Sequence, residues 1–409
     1  KIFRSFGARP GLTLPFWHPY YGAAAKFASD TQSALRDKRD VLDIQIDGVK
    51  IGKLVYITYL RRDRKTIDLK SKDLWRLLRD AYVIFRVSQE YLREKNVKAV
   101  IISHTMFIHF GILSRVATAL GIPVYRTHHS GWREGAALHL VEIDREFNFQ
   151  QWPYWQYRER FARLDPEKQK RGIEEGRMFL SRWLKGDSNT LGQEPVLKGA
   201  TSWGTHSQQK ALGDSNRPKI LILANCFFDG PNFFRYSLFP DFWEWMNFLL
   251  EKASETDFEW YIKPHPLAIP ANNEVLKELN EKYPKIKILS AKTSNAQLID
   301  EGIKAMFCVY GTAITEFAYM GIPVVAAADA LPASYDFYLK PATVAEYEAM
   351  IKGADRLKVN LDRPQIEEFA YMNYKYFFEM NLGGASPFPP DMEKFINDLG
   401  QEQWEIINF

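Results

Sequence analysis

Residues 305–327 read AMFCVYGTAITEFAYMGIPVVAA, and this stretch decides the fold class. An apolar run ends at Tyr310, Gly311 permits a turn, and a helical pattern then runs from Thr312 to Gly321, where a second apolar run begins. A strand, a helix and a second strand in this order form one crossover unit of a parallel sheet. We therefore expect an α/β fold.

The same alternation of short apolar runs and helical patterns extends over both halves of the chain. In the second half, strands are predicted at 218–226, 258–263, 286–289, 305–310 and 322–327, with helices at 240–254, 272–282, 294–303 and 312–320. In the first half, strands are predicted at 53–60, 97–104 and 122–129, with helices at 72–96, 110–121 and 178–186. These patterns predict two Rossmann-like sheets of similar size.

The 409-residue length favours two domains, because a single core of that size is uncommon. Residues 186–217 are polar and rich in Gly and Ser, and we interpret them as a linker. The first domain is then expected at 1–205 and the second at 218–365. Helices over 366–409 are expected to cross back towards the first domain. Ligands of such folds bind in the cleft at the carboxyl ends of the strands.

Composition excludes several classes of protein. The formal net charge of +4 is modest for this length and does not favour nucleic-acid binding. Two cysteines far apart in sequence argue against a disulfide scaffold and favour a reducing compartment, so we expect a cytoplasmic protein. No apolar run reaches the roughly 20 residues that cross a bilayer.

The hexapeptide YIKPHP (261–266) places two basic side chains directly after a predicted strand. Lys263 and His265 should therefore point into the cleft, with Pro266 shaping the turn. Such a pair fits a diphosphate or a monophosphodiester.

A second part of the predicted phosphate site comes from the stretch that opened this section. The turn at Gly311 and the helix start at Thr312 present free backbone N–H groups to an anion. Glu316 lies about one turn into that helix, where its carboxylate is expected to accept hydrogen bonds from a ribose. A well-capped crossover unit without a ligand is the alternative for this stretch taken alone.

Asp229 follows the first predicted strand of the second domain, in ANCFFDGPN (224–232). A turn-forming Asp-Gly pair and a catalytic carboxylate are equally weighted interpretations of this residue alone. In glycosyl transfer a carboxylate stabilises or attacks an oxocarbenium-like centre. No Asp-x-Asp pair, zinc-type His/Cys cluster or Walker loop occurs in the chain, so we expect neither metal nor cofactor.

Polar side chains also follow two neighbouring strands of the first domain. They are candidates for binding acceptor hydroxyls or for a general base, and His265 is a catalytic candidate beside Asp229. The acceptor-side candidates are His104, His128, His129, Arg133 and Glu134.

The KPHP motif, the upstream Asp and the Gly-Thr…Glu…Gly-x-Pro-Val segment together resemble bacterial capsule and surface-polysaccharide glycosyltransferases of the GT-B fold. The nearest resemblance is to the retaining β-Kdo transferases, which use a CMP-activated ulosonic acid. It covers residues 218–350, including ADALPASYDFYLKPATVAEYE (328–348), and extends to the first half in architecture only. The family usually carries a Gln ahead of its acid, where this chain has Asn225 to Phe228, so the retaining or inverting outcome stays open.

The resemblance implies a metal-independent transferase with a nucleotide-sugar donor in the second domain. His265 and Lys263 would contact the nucleotide phosphate, Gly311 would line the same site, and Asp229 would be the nucleophile. A CMP-linked ulosonate such as Kdo is the favoured donor, with UDP-sugars as an alternative. The acceptor would be a surface glycan or glycolipid, with the enzyme cytoplasmic or peripheral at the inner membrane.

Three other functions stay open from the sequence. A nucleotide-sugar 2-epimerase shares the two-domain architecture and needs no acceptor. A glycerophosphotransferase has a similar His-Pro motif and would release CMP from CDP-glycerol. A non-catalytic glycan-binding domain would bind no nucleotide, and the intact set of Lys263, His265 and Glu316 argues against it.

Overall fold

A computed structural model describes residues 19–129, 136–140, 154–185, 207–230, 235–266 and 269–376. Its first unit packs four helices around two small sheets. These elements are α1 (Tyr21–Ala34), β1 (Gln45–Ile46), β2 (Val49–Lys50), α2 (Gly52–Leu60), α3 (Lys72–Glu94), β3 (Val100–Ile102), α4 (Phe107–Ala119), β4 (Val124–His129) and β5 (Ala136–Leu140).

The predicted strand at 53–60 is wrong, because these residues form helix α2. A continuous apolar run is compatible with either a buried strand or a buried helix, and only its surroundings decide. Here every residue of the helix except Lys53 is buried. The helix begins against the preceding turn so closely that a Cβ on Gly52 would lie 2.0 Å from the Val41 carbonyl oxygen.

The other predicted elements of the first unit are confirmed within a few residues. Helix α3 is amphipathic, and its N-cap residue Ser71 accepts a 3.1 Å hydrogen bond from the Leu74 amide. Strands β3 and β4 are parallel, whereas β5, which was not predicted, pairs antiparallel to β4. Within the described residues this sheet has three strands, so the expectation of two sheets of similar size is wrong.

The second unit has a fully parallel five-stranded sheet with helices on both faces. Its elements are β6 (Lys219–Leu223), α7 (Phe242–Ser254), β7 (Glu259–Lys263), α8 (Pro270–Lys282), β8 (Lys287–Ile288), α9 (Asn295–Asp300), β9 (Ile303–Cys308), α10 (Ala313–Tyr319), β10 (Val324–Ala326) and α11 (Val344–Lys352). The spatial order is β10-β9-β6-β7-β8. This is the Rossmann order, with its switch point between β6 and β9.

The two faces of this sheet belong to separate apolar cores, because successive strand residues point to opposite faces. Ile220, Ile222 and Phe307 lie in one core, while Leu221 and Met306 lie in the other. All five are fully buried. Such continuous apolar strands are typical of a parallel sheet covered on both sides.

Helices from both halves of the chain cover the second of these cores. They are α5 (Tyr157–Ala162), α6 (Pro166–Leu184) and α12 (Arg363–Tyr371), the last followed by a π-helical turn at Met372–Tyr376. The α12 helix packs along α6, an element of the first half of the sequence. Leu180 of α6 and Ile366 of α12 share the core that contains Leu221. The predicted linker residues 186–206, and residues 377–409 of the predicted C-terminal helices, lie outside the described residues.

The first unit contacts the second at the carboxyl edge of the parallel sheet. The Tyr56 hydroxyl of α2 donates a 2.6 Å hydrogen bond to Asp241 at the start of α7. Lys38 forms an ion pair with Glu244 in the same helix. Two α/β units that meet at this edge form the GT-B arrangement that the sequence predicts, so the predicted fold class is confirmed.

Candidate functional site

The site is built from the segments that follow three adjacent strands of the parallel sheet. Strand β6 lies between β7 and β9, with Leu223 paired to Lys263 and Ile222 paired to Phe307. Because parallel strands all end at the same edge, the segments after them meet there. The structure therefore brings together residues that are far apart in sequence.

Lys263 is the most deeply buried charged group of the site. It is the last residue of β7, and 3% of its surface is exposed. Its ammonium donates a 2.6 Å hydrogen bond to Asn295 Oδ1. Burial lowers the pKa of Lys263 to about 8, and the nearby Glu316 carboxylate opposes that shift. The site therefore holds a desolvated ammonium whose charge an anion would stabilise.

His265 lies two residues beyond Lys263 and is half-buried. Burial lowers its imidazole pKa, the Asp229 carboxylate raises it, and the Lys263 ammonium lowers it. The imidazole thus lies within the electrostatic field of both groups. His265 and Pro266 also line a cavity of about 490 Å³ between α8 and β8.

Asp229 is exposed in the turn that follows β6. Its amide donates to the Cys226 carbonyl at 3.1 Å, and its Oδ1 accepts from the Gly230 amide at 3.0 Å. The Tyr310 hydroxyl, from the segment after β9, donates a 2.8 Å bond to the Gly230 carbonyl. The carboxylate is therefore both part of a turn and held at the switch point of the sheet.

Gly311 and Thr312 follow β9 on the other side of the switch point. Gly311 has a φ of +150°, in the range that favours glycine, and Thr312 precedes the first helical residue, Ala313. The Thr312 side chain is exposed and does not cap the helix, whereas Thr315 is buried. Of these two threonines, only Thr312 therefore presents an exposed side chain beside the start of the helix.

Glu316 is buried, with 5% of its surface exposed. The indole N–H of Trp183, in α6, donates to its Oε1 at 2.9 Å. Sequence reasoning missed this contact, because a single Trp more than a hundred residues away carries no local signal. The carboxylate therefore has a donor from the protein, and its predicted role at a ribose stays a prediction.

Of the acceptor-side candidates, His104 is described in most detail. It packs against Phe107 and Phe110, with ring centroids 5.6 Å and 4.2 Å away. Burial lowers its imidazole pKa, as does the nearby Arg126. A further pair of candidates, His128 and His129, lies on β4, where their backbones pair with Ala137 and Ala136. Arg133 and Glu134 lie outside the described residues.

The first unit also reaches the Asp229 turn, at positions that sequence reasoning did not select. A Cβ built on Gly230 would lie 3.0 Å from Met106 Cε and 3.4 Å from Ile57 Cδ1. Burial raises the pKa of the Cys226 thiol, Asp229 raises it further, and the Arg61 guanidinium opposes both. Arg61 follows α2. Because residues 53–60 were predicted as a strand, the sequence did not indicate that this helix lies beside the site.

The described residues contain no group of three or more His, Cys, Asp or Glu side chains placed to hold a metal ion. Of the helices in these parts of the chain, none combines the length and apolarity needed to cross a membrane.

Comparisons with known proteins place two solved structures beside this chain. It matches no protein-family model and no curated protein. It is similar to Thermosulfurimonas dismutans KpsC, a beta Kdo 2,7 transferase, with 14% identity and a TM-score of 0.37 over 70% of this chain and 80% of that one. It is also similar to Thermosulfurimonas dismutans KpsC, a beta Kdo 2,4 transferase, with 12% identity and a TM-score of 0.37 over 68% and 80% of the two chains.

Proposed function

We propose that this protein is a glycosyltransferase that moves a sugar from a nucleotide-sugar donor to a glycan acceptor. The observation that carries the proposal is the convergence of Lys263, His265 and Asp229 after two adjacent strands, β6 and β7. A cation, an imidazole and a carboxylate at the switch point of a Rossmann sheet are suited to stabilise a phosphate leaving group and the carbon that it leaves.

The donor is a CMP-linked ulosonic acid such as Kdo. The phosphate of such a donor is a single phosphodiester, and one buried ammonium with one imidazole offsets its charge. A nucleoside diphosphate leaving group carries more charge and in many enzymes is bound through a divalent metal. The Lys263 ammonium, with the His265 imidazole as a hydrogen-bonding group beside it, therefore supports a single phosphate without a metal ion.

The nucleoside occupies the cavity beyond His265. At about 490 Å³ this cavity is of a size that small ligands commonly fill. Asn273 and Asn280 line it and offer amide donors and acceptors to a base, while Leu276 and Ile288 offer apolar contact. The phosphate then lies at Lys263 and His265, and the sugar extends towards Asp229.

Asp229 acts on the anomeric carbon. Its carboxylate forms a bond to that carbon while the bond from carbon to phosphate oxygen breaks, and the electron pair leaves on the phosphate. Lys263 and His265 stabilise the released nucleotide monophosphate. An acceptor hydroxyl then forms the new glycosidic bond, the bond to Asp229 breaks, and the hydroxyl proton passes to a base on the side of the first unit. Two such displacements retain the configuration.

The acceptor is a growing surface glycan or glycolipid, which places the enzyme in the cytoplasm or at the inner face of the membrane. The first unit binds it.

A thermal-shift panel of CMP, UDP, GDP and CDP tests the proposal. CMP is expected to raise the melting temperature, because a ligand bound only to the native state stabilises it. His265→Ala is expected to abolish that shift, and His109→Ala, an exposed histidine on α4, is the matched control. Asp229→Asn is expected to retain the shift and to lose transfer from CMP-Kdo.

The proposal fails if no nucleotide stabilises the wild-type protein or if Asp229→Asn transfers at the wild-type rate. Stabilisation by CDP with release of CMP from CDP-glycerol would instead indicate a glycerophosphotransferase.

A further inference from the structure

Arg61 occupies a fixed position at the end of a buried helix. Its amide donates to the Ile57 carbonyl at 3.2 Å, and the residues before it, Tyr59 and Leu60, are at most 2% exposed. The Arg61 side chain itself is exposed. The core of the first unit therefore fixes the backbone of Arg61, while its guanidinium remains accessible to a ligand.

The guanidinium lies over an aromatic ring whose own backbone is strained. The Arg61 Cζ atom is 5.8 Å from the centroid of Phe107, and Phe107 has a φ of +63°. A left-handed conformation is unfavourable for a bulky residue, and such strain persists where the surrounding structure imposes it, often at functional sites. Contact with the ring holds the guanidinium beside Phe107, the residue that follows Met106.

Two independent contacts place this side of the first unit against the turn. Met106 precedes Phe107, and its Cε atom lies 3.0 Å from the position that a Cβ on Gly230 would take. Ile57, one turn before Arg61 in α2, approaches the same position at 3.4 Å. The opposing influences of Asp229 and Arg61 on the Cys226 thiol agree with this placement.

Two of the cations that follow α2 form ion pairs. Arg64 pairs with Asp73 at 3.1 Å, and Lys65 pairs with Glu278. Within the residues that the structure describes, no carboxylate lies within 4.0 Å of the Arg61 guanidinium. Arginine presents a planar fork of donors that matches carboxylate and phosphate oxygens. An accessible guanidinium beside a catalytic carboxylate is thus available to a ligand.

We propose that Arg61 binds an oxyanion of the donor, so that both units hold the same substrate. This inference rests on the proposed function, because the donor must lie at Asp229 and His265 for Arg61 to reach it. The oxyanion is either the phosphate of the nucleotide or the carboxylate of an acidic sugar, and the chemistry of recognition is the same for both. If the oxyanion is the carboxylate, Arg61 also selects an acidic sugar, because a neutral sugar leaves the guanidinium without a partner.

Calorimetric titration of Arg61→Gln with two probes tests this inference. CMP carries only the phosphate, and free Kdo carries only the carboxylate. We expect roughly tenfold or greater weakening for one of them, because a hydrogen bond to a charged group contributes on the order of 1.5–3 kcal/mol. The probe that is weakened identifies the oxyanion. Arg61→Lys is expected to recover part of the loss, because it restores the charge without the fork.

Arg62→Gln is the matched control, since Arg62 is the adjacent exposed cation and affects His109 rather than the Asp229 turn. It is expected to change neither affinity by more than about twofold. The KM for CMP-Kdo should rise in Arg61→Gln by the same factor as the affected affinity. Wild-type affinity of Arg61→Gln for both probes, with an unchanged KM, would overturn the inference. If CMP binding then still depended on His265, the proposed function would stand without it.

Discussion

Tyr56 of the first unit donates a 2.6 Å hydrogen bond to Asp241, the N-cap residue of helix α7 in the second unit. The same carboxylate accepts from the Glu244 amide at 2.8 Å and from the Thr66 hydroxyl at 2.6 Å. Burial raises the pKa of Asp241, and these donors oppose that shift. One side chain therefore caps a helix and joins the two units.

Removing the Tyr56 hydroxyl should destabilise the protein. Tyr56→Phe leaves a buried carboxylate oxygen with one donor fewer, and we expect a loss of about 1–3 kcal/mol in the free energy of unfolding. Urea denaturation measures it. Tyr236→Phe is the control, because Tyr236 is 40% exposed and its bond to the Ala342 carbonyl should contribute about 0.5 kcal/mol or less. Equal losses in Tyr56→Phe and Tyr236→Phe would contradict a larger contribution from the hydrogen bond between Tyr56 and Asp241.

Nucleotide affinity should fall as the pH rises through about 8. The folded-state pKa of Lys263 is about 8, below its usual 10.5, so the folded protein without nucleotide loses this ammonium above pH 8 while the unfolded chain keeps it. The affinity of wild-type protein for CMP should weaken by about tenfold per pH unit there. Calorimetry between pH 7 and pH 10 measures this dependence.

The same pKa gives an opposite dependence for stability. Because the charged form is the one disfavoured by burial, the contribution of Lys263 to stability becomes more favourable as the pH rises from about 8 to 10.5.

Lys263→Met should remove the steep decline in CMP affinity above pH 8. A variant that kept the wild-type pH profile would exclude Lys263 as the titrating group.

Glu316→Gln should move that pH dependence to lower values. The Glu316 carboxylate is the group that raises the Lys263 pKa against burial, so its neutralisation should place the midpoint of CMP binding below pH 8. The Gln side chain retains an oxygen for the Trp183 indole, so the fold should be kept. The same pH midpoint of CMP binding in Glu316→Gln and in wild type would show that the Glu316 carboxylate does not act on Lys263.

Gly176→Ala should disrupt the packing of α6 on α12. A Cβ at Gly176 would lie 1.9 Å from the Glu367 carbonyl oxygen, so the helices must separate, at a cost of about 1–3 kcal/mol. Gly22→Ala is the matched control, because a Cβ there meets nothing within 4 Å and a helical Gly replaced by Ala gains about 0.5–1 kcal/mol. Thermal and urea unfolding compare them. Two variants of equal stability would refute this close approach.

Much of the second unit could be predicted because its sequence signals are local. Strand runs such as KILIL (219–223) are short and apolar, and glycines such as Gly321 end the helices between them. Since parallel strands end at one edge, the position of Lys263 and Asp229 after their strands was sufficient to predict that they meet. Their roles in catalysis remain predictions.

The sequence by itself determined the α/β class, the order of the strands along the chain and the polar residues that follow them, because these depend on local periodicity and turn residues. Only the tertiary structure decided that 52–60 is a helix, that Trp183 reaches Glu316, and that Met106 and Ile57 lie against the Asp229 turn. An apolar run takes its conformation from the surfaces that bury it, and a contact between distant residues depends on how whole units pack. Neither is encoded within a short window of sequence.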